Sequence, residues 1–404
     1  MNSSTQTALN DAVASGGDPY FQMAEPMFDY LIIGAGFSGA TLAERIASEL
    51  DKKVLVVERR NHVGGNAYDY FDNDRILVSR YGAHIFHTND ERVWKYVNQF
   101  AAFNNYVHTV DACVGGEFYS LPLNIETINA FFHMNLSSAE LPDFLAKIRV
   151  PVKCPSNAEE AVVSQVGWEL YEAFYRKYTL KQWGVAPKLL DASVTARLPV
   201  RLNNDKRYFS DRRQGVPVGG YTELFKKMLS HKNIVVLLDT DYRQILSDVS
   251  FNEMIFTGPI DLFFEYVHGK LPYRSIEFRF ETIDREFFQH TAVVNYPNDH
   301  DYTRCVEYKY LNQQKHAWTS ISRDYPCWND DEPYYPVPTH QNRLLYQRYK
   351  AEAEKLQSVY FCGRLGTYQY YNMDQCIKQA LMLFENVVSK NAVHKVVSRV
   401  ANEY

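Results

Sequence analysis

"FDYLIIGAGFSGATLAERIASEL" at residues 28–50, followed by "KKVLVVE" at residues 52–58, decides how the chain is read. An apolar run ends in a glycine-rich turn, apolar residues then recur at helical spacing, and a second run has the character of a buried strand. Strand, turn, helix and strand make a βαβ unit. Gly34, Gly36 and Gly39 form GxGxxG in the required place, after a strand and opening a helix. The first glycine permits the turn, the second lets backbone approach a pyrophosphate, and the third lets helix and strand pack closely, with the phosphates at the helix N-terminus. Phe37 and Ser38 lie inside that turn. Glu58, ending the second strand, is placed to accept hydrogen bonds from an adenosine ribose, and its charge favours a free 2'-hydroxyl over a 2'-phosphate. The alternative, a plain glycine turn and a surface glutamate, leaves the register of the two features unexplained.

Outward from this unit, 404 residues exceed one ordinary domain, so two or three packed units are expected. A net charge of -5 argues against a nucleic-acid or polyanion binder, which needs a basic face. No apolar run approaches the roughly 20 residues that span a bilayer, so no membrane partner is expected. Cysteines 113, 154, 305, 327, 362 and 376 are scattered, with no CxxC pair and no zinc spacing. Reduced thiols, a cytoplasmic location and no metal follow as expectations. Residues 1–26 are polar and small, lack the regions of a signal peptide, and read as a disordered tail or tag, "PYFQM" having the look of a tag remnant. The 30 tyrosines and 24 phenylalanines are the unusual feature, since tyrosine suits the wall of a wet cleft as well as a core.

From about Asp90 to Val200 the pattern is mostly helical, as in "AEEAVVSQVGWELYEAFYRKY", interrupted by a hairpin-like "VHTVDACVGGEFYSLPLN". "NIVVLLDT" and "EMIFTGPIDLFF" return to buried-strand character. Between about Tyr273 and Tyr325 the period-two stretches "RSIEFRFETI", "TAVVNY", "TRCVEYKY" and "AWTSISRDY" predict an antiparallel sheet. "SVYFCGR" and an amphipathic C-terminal helix then rejoin the first domain. The expected fold is α/β: a discontinuous Rossmann-like nucleotide-binding domain (27–99, 214–270, 348–404), an inserted helical domain (100–107, 122–200) and a twisted antiparallel β-sheet domain (108–121, 201–213, 271–347).

GxGxxG does not by itself separate NAD from FAD. "ERRNHVGGNAYD" places Arg59, Gly64, Gly65 and Asn66 directly after the acidic residue, which resembles the extended signature of the glutathione-reductase-type flavoproteins. "YFCGR", with Gly363 and Arg364, matches the late strand by which that class closes over the flavin. The "NMDQ" start of a helix, at Asn372 and Met373, offers backbone NH groups and a positive dipole to the isoalloxazine edge.

"YRKYTLKQWG" is different: Phe174, Tyr175 and Tyr178 share a helix that ends at Trp183, which taken alone reads as core packing. Downstream come Arg197, Tyr208, "VPVGGYTELF", "NYPNDHDYTR" with Arg304, "EPYYPVP" with Tyr334 and Tyr335, and "GRLGTYQYYNMDQ". Together with "YGAHIFHT" (His84, His87), from about Phe28 to Val387, they strongly resemble the prokaryotic UDP-galactopyranose mutases. The resemblance implies that Arg197 and Arg304 grip a UDP pyrophosphate, as guanidinium forks suit a diphosphate. It implies that Tyr208, Tyr335 and Tyr370 give phosphate-binding hydroxyls, that Phe174, Tyr175, Tyr178 and Asn295 form the uridine site, and that Thr179 is among the substrate-binding residues. Trp183 falls at a mobile loop, Arg364 and Asn372 near sugar and flavin, and the His84–His87 loop beside the flavin. The implied reaction interconverts UDP-galactopyranose and UDP-galactofuranose without net redox change, through attack of N5 of FADH⁻ on the anomeric carbon and an iminium intermediate. A reductant, NAD(P)H or another, and a homodimer are the implied partners. A flavin amine oxidase or desaturase is the rival, though arginines and tyrosine hydroxyls suit an amine or apolar substrate poorly; a binding protein without turnover, or a mutase of another UDP-pyranose, are further alternatives.

Overall fold

The computed structural model describes residues 27–196 and 199–390, so the tail at 1–26, Arg197 and the last fourteen residues lie outside the described residues. The quoted βαβ unit forms the middle of a five-stranded sheet. Its strands run in the order Val359–Phe361, Phe251–Phe256, Phe28–Ile33, Val54–Val57 and Ile234–Leu237, each pair parallel. Phe28–Ile33 is apolar on both faces because both are covered: Tyr30 and Ile32 enter one buried cluster, Leu31 and Ile33 another. The helix Phe37–Leu50 and the late helix Met373–Leu383 pack on each other.

The second sheet has seven strands in the order Tyr335–Pro336, Tyr273–Ile283, Thr319–Cys327, Arg304–Glu307, Val293–Asn295, Val110–Val114 and Glu117–Leu121. It is antiparallel except where Val293–Asn295 meets the hairpin strand Val110–Val114 in parallel register. The hairpin read at 108–121 is therefore part of this sheet. Two stretches depart from their sequence reading. "TRCVEYKY" is a strand only to Glu307 and turns into the short helix Tyr308–Asn312. Its alternation is deceptive because Tyr308 and Leu311 bury themselves at helical spacing.

The helix expected through "AEEAVVSQVGWELYEAFYRKY" is broken twice. Gly167 adopts φ 77°, where a Cβ would stand 2.3 Å from the Ile148 carbonyl oxygen. Tyr171–Arg176 then winds as a wide π-helix before the α-helix Lys177–Trp183 resumes. Such widening is frequent at functional sites, and Phe174 and Tyr175 lie inside it.

Candidate active site

Two glycine turns face each other across the upper edge of the parallel sheet. Gly34, at φ 102°, has no room for a side chain: a Cβ would lie 2.2 Å from Thr257 Oγ1. Gly39 is equally constrained, its Cβ position being 1.9 Å from the Gly34 oxygen, so the third glycine of the motif serves the protein's own packing. Gly36 differs. Nothing nearer than Gly65 Cα, 3.7 Å away, meets a Cβ there, which leaves the open space at the turn for a ligand. Glu58 is buried and accepts from the backbone NH of Ala35 (2.9 Å) and of Arg60 (3.0 Å), leaving further lone pairs for a ribose hydroxyl. Asn66 Oδ1 accepts from Arg60 (3.0 Å), while Arg59 and Arg60 both reach Glu332 on the far wall (3.3 and 2.6 Å).

The cleft so lined runs from Glu58, Arg59 and Asn66 past Gly34, Gly36, Phe37 and Ser38 to Gly363, Arg364 and Met373, with His84 at that end. Gly363, at φ 82°, holds its strand end 2.8 Å, measured to a notional Cβ, from Ser38 Oγ. Asn372 begins the helix Met373–Leu383, its NH donating to Gln375 Oε1 (2.9 Å) in a reciprocal cap. The open backbone at Gly36, the buried carboxylate and the helix N-termini fit a dinucleotide that ends in a flat ring near Arg364 and His84.

Beyond Arg364 the chain assembles a polar site from side chains distant in sequence. One row crosses the second sheet, each residue opposite the next: Phe278, Asp324, Arg304, Asn295, Ala112 and Tyr119. Residues directly opposite project from one face. Arg304 therefore stands between Asn295 and Asp324, and its guanidinium donates to Tyr178 Oη (3.1 Å) from the helix laid over this face. Asp324 Oδ2 is 3.4 Å from Arg304 Nε, but Nε is buried without a hydrogen-bond partner among the described residues. Burial pushes the Asp324 carboxyl up to about 6, against the Arg304 charge.

Arg364 closes the other side. It donates to the carbonyls of Tyr371 (2.7 Å) and Tyr334 (3.4 Å), and its guanidinium lies 5.2 and 5.5 Å from the ring centres of Tyr335 and Tyr370. Those two rings are 5.1 Å apart, and Trp183 packs on both, at 6.0 and 5.6 Å. Trp183, placed by resemblance in a mobile loop, is here 4% exposed at the end of a helix. Burial raises the Tyr335 hydroxyl, and the Arg304 and Arg364 charges oppose it. Phe174 lies deeper, edge to face with Tyr119 (5.4 Å) and near Phe131 (5.4 Å), so it supports the wall from the core; Tyr175 and Thr179 flank Tyr178 on the same buried side.

The histidines divide. His84 Nδ1 donates to the Gly82 carbonyl (2.9 Å), which leaves Nε2 as an acceptor. Burial pushes its pKa down to about 4, the Arg364 and Arg304 charges adding, so the ring is neutral. His87 stacks on Phe209 (3.6 Å) and bonds Asp211 (2.6 Å) through Nδ1. Sequence reading missed His108, which lies 5.4 Å from the Tyr208 ring and is held neutral, at about 3, by burial and by the charges of Arg304 and His87. Asp324, Phe209, Lys181 and Arg274 were missed with it. Lys181 lies inside the quoted "YRKYTLKQWG" but carries no signal of its own there; the others are brought in by sheet register or loop closure.

The family model described as UDP-galactopyranose mutase matches residues 173–370, and one described as an NAD(P)-binding Rossmann-like domain matches residues 32–100. A probable UDP-galactopyranose mutase of Klebsiella pneumoniae is 39% identical over 90% of this chain and 95% of its own length. The chain belongs to the UDP-galactopyranose mutase family. It is accordingly an isomerase and a flavoprotein, with FAD as its cofactor. Family members differ in name: a dTDP-fucopyranose mutase of Escherichia coli is 37% identical over 89% of this chain and 98% of its own. A crystal structure of reduced UDP-galactopyranose mutase matches with a TM-score of 0.73 at 17% identity, over 91% of this chain and 94% of that one. A putrescine oxidase double mutant matches with a TM-score of 0.57 at 13% identity over 90% of this chain and 99% of that one, which shows that an oxidase shares the fold.

Proposed function

We propose that the protein interconverts UDP-galactopyranose and UDP-galactofuranose with no net redox change, in a cleft between the FAD domain (27–99, 214–270, 348–404), the helical domain (100–107, 122–200) and the sheet domain (108–121, 201–213, 271–347). The observation that carries this reading is the row Asp324–Arg304–Asn295 with Tyr178 bonded to Arg304, facing the ring pair Tyr335 and Tyr370 around Arg364. Two guanidinium groups and several hydroxyls in a buried cleft suit a diphosphate and not an amine or an alkyl chain.

Bound and reduced, FAD supplies the nucleophile for the anomeric carbon, which is why an isomerisation needs a redox cofactor. The chain's own residues bind, orient and neutralise. Arg304 and Arg197 hold the pyrophosphate and stabilise the charge that grows on it as the glycosyl bond breaks; Tyr208, Tyr335 and Tyr370 donate to the same oxygens, and Tyr178, which the resemblance put in the uridine site, joins them through its bond to Arg304. Asn295 and Tyr175 take the uracil, with Phe174 behind them. Arg364 and Asn372 lie where sugar and flavin meet, and Trp183 excludes water from above. His84, neutral with Nε2 free to accept, takes a hydrogen bond from a sugar hydroxyl; His87, tied to Asp211, steadies the loop. The working form is FADH⁻, the protein a cytoplasmic homodimer, and the reductant NAD(P)H or another donor.

The test is product analysis after anaerobic incubation of dithionite-reduced protein with UDP-galactofuranose, beside an oxidised control. Conversion to UDP-galactopyranose only in the reduced sample is expected. Conversion of dTDP-fucopyranose instead would move the protein to the other named activity in the family, and failure to bind UDP or dTDP by FAD-containing protein would sink the assignment of the polar site.

A further inference from the structure

The helix carrying Tyr178 and Trp183 is fastened to the sheet by two cations hydrogen-bonded to carbonyls. Lys181 sends Nζ into the loop between Asn295 and Arg304, where the carbonyl oxygens of Tyr296 (2.5 Å), His300 (3.1 Å), Tyr302 (3.1 Å) and Asp299 (3.3 Å) converge on it. Arg274, 4% exposed, donates through Nε to the Gln182 carbonyl (3.1 Å) and through Nη2 to that of Lys181 (2.9 Å), and its guanidinium lies 4.5 Å from the Trp328 ring centre. The loop also reaches back: Asn298 Nδ2 donates to the Ala173 carbonyl (2.8 Å) in the π-helical stretch.

These contacts demand an explanation beyond stability. A cation drawn out of water is costly unless its partners are good. Four carbonyl dipoles aimed at one point repel each other unless a cation sits among them. Each oddity accounts for the other, and together they fix one distance. Asn295 and Arg304 are the two ends of the clasped loop, and Tyr178, three residues before Lys181, is the helix group that meets Arg304.

We propose that Lys181, seconded by Arg274, is a positioning residue: its ammonium docks the Tyr178–Trp183 helix on the Asn295–Arg304 loop and so sets the geometry in which a nucleoside diphosphate is held. The proposal rests on the reading of Arg304 as the pyrophosphate ligand.

Hydrogen exchange on the resting holoenzyme and titration with UDP decide the matter, using wild type, Lys181→Ala, and Lys177→Ala as the exposed control on the same helix. In Lys181→Ala the amides of 178–184 and 296–303 should exchange about tenfold faster and UDP should bind about tenfold more weakly, the scale of one lost charge-assisted anchor. Added propylammonium, which refills the carbonyl crown, should restore part of both; flavin absorbance should not change, and Lys177→Ala should match wild type. Unchanged exchange in Lys181→Ala overturns the clasp. Faster exchange with wild-type UDP affinity overturns the positioning role. A wild type that does not bind UDP is titrated with dTDP instead; binding of neither fails the reading of the site, and the positioning role with it, while exchange still decides the clasp. Should Lys181→Ala not fold, Arg274→Lys, which keeps the charge but not the fork, is expected to loosen 181–184 and weaken UDP binding, and wild-type behaviour there overturns the proposal.

Discussion

The cofactor cleft and the polar site lie against each other, yet they are built in opposite ways. The cleft is made by backbone: glycines at 34, 36, 39, 64 and 65 shape two turns that are close in sequence, and Glu58 is fixed by two NH groups of those same turns. The polar site is made by side chains from segments near residues 84, 108, 178, 208, 304, 335 and 370, brought together by sheet register at Arg304 and by helix and loop packing around it. A backbone site fails when one atom is added. A side-chain site should lose its members one at a time, each at moderate cost and with the fold intact.

The largest expected effects fall on the cleft. Gly34→Ala puts a Cβ 2.2 Å from Thr257 Oγ1 at a positive φ, and should cost more than about 3 kcal/mol of stability, leaving little soluble yellow protein. Gly36→Ala sharpens the contrast, because its nearest neighbour is 3.7 Å away. That variant should fold with a melting midpoint near that of the apoprotein and yet lose flavin absorbance. If Gly36→Ala keeps its FAD, the second glycine is not where the dinucleotide presses on the chain.

Next in size come the arginines. Arg304→Ala, and by the same reading Arg197→Ala, should lower kcat/KM about 10²–10³-fold, the loss of one charged group aimed at a developing anion, with FAD retained. Wild-type-like turnover in either variant removes that arginine from its role. In Arg304→Ala the Asp324 carboxyl also loses the charge that holds it down, so its pKa should rise above about 6, which carboxyl infrared or NMR titration would follow.

Acid should then act on the polar site more than on the cleft. His84 and His108 have folded pKa values of about 4 and about 3, below the ordinary 6.5. Between those values and 6.5 the unfolded chain binds protons that the folded chain refuses, so the stability these rings contribute is present above pH 6.5 and is lost as pH falls. Asp324 works the other way between pH 3.8 and about 6, because the folded state binds its proton more tightly. Two against one leaves a net loss on the order of 2 kcal/mol from pH 7 to pH 5. Thermal midpoints across that range should fall for wild type and fall less for His108→Asn; equal slopes would show that His108 does not titrate as its burial implies.

How much was legible follows from the same contrast. Gly34, Gly36, Gly39 and Glu58 were readable because their chemistry depends on neighbours a few residues away. The seven-stranded sheet was readable as strands, but not the parallel pairing of Val293–Asn295 with Val110–Val114, since alternation is silent on direction. Arg304, Tyr335 and Arg364 were readable only through family resemblance. His108, Asp324 and Lys181 were unreadable: an isolated histidine, aspartate or lysine carries no local signal, and what makes them unusual is a ring 5.4 Å away, a cross-strand neighbour, or a loop of carbonyls. The break of the helix at Gly167 was visible as a glycine, yet its cause, the Ile148 carbonyl, is not.

The smallest prediction probes the finest feature of the polar site. Tyr178 Oη accepts from Arg304 Nη2 at 3.1 Å, so in the resting protein the hydroxyl orients the guanidinium and keeps its own proton to donate. If a diphosphate arrives, both groups point at it and the mutual bond need not break. Tyr178→Phe removes one neutral hydrogen bond and no charge, and should cost about 1 kcal/mol, or roughly fivefold in UDP affinity, with the ring's packing kept. Arg304→Ala and the double variant close the cycle. If the pair acts as one unit, the Tyr178→Phe effect should shrink once Arg304 is gone, because a hydroxyl that works partly by aiming an arginine has nothing left to aim. Strict additivity would mean that Tyr178 contacts the nucleotide on its own account, and that the helix is docked for its ring and not for its hydroxyl.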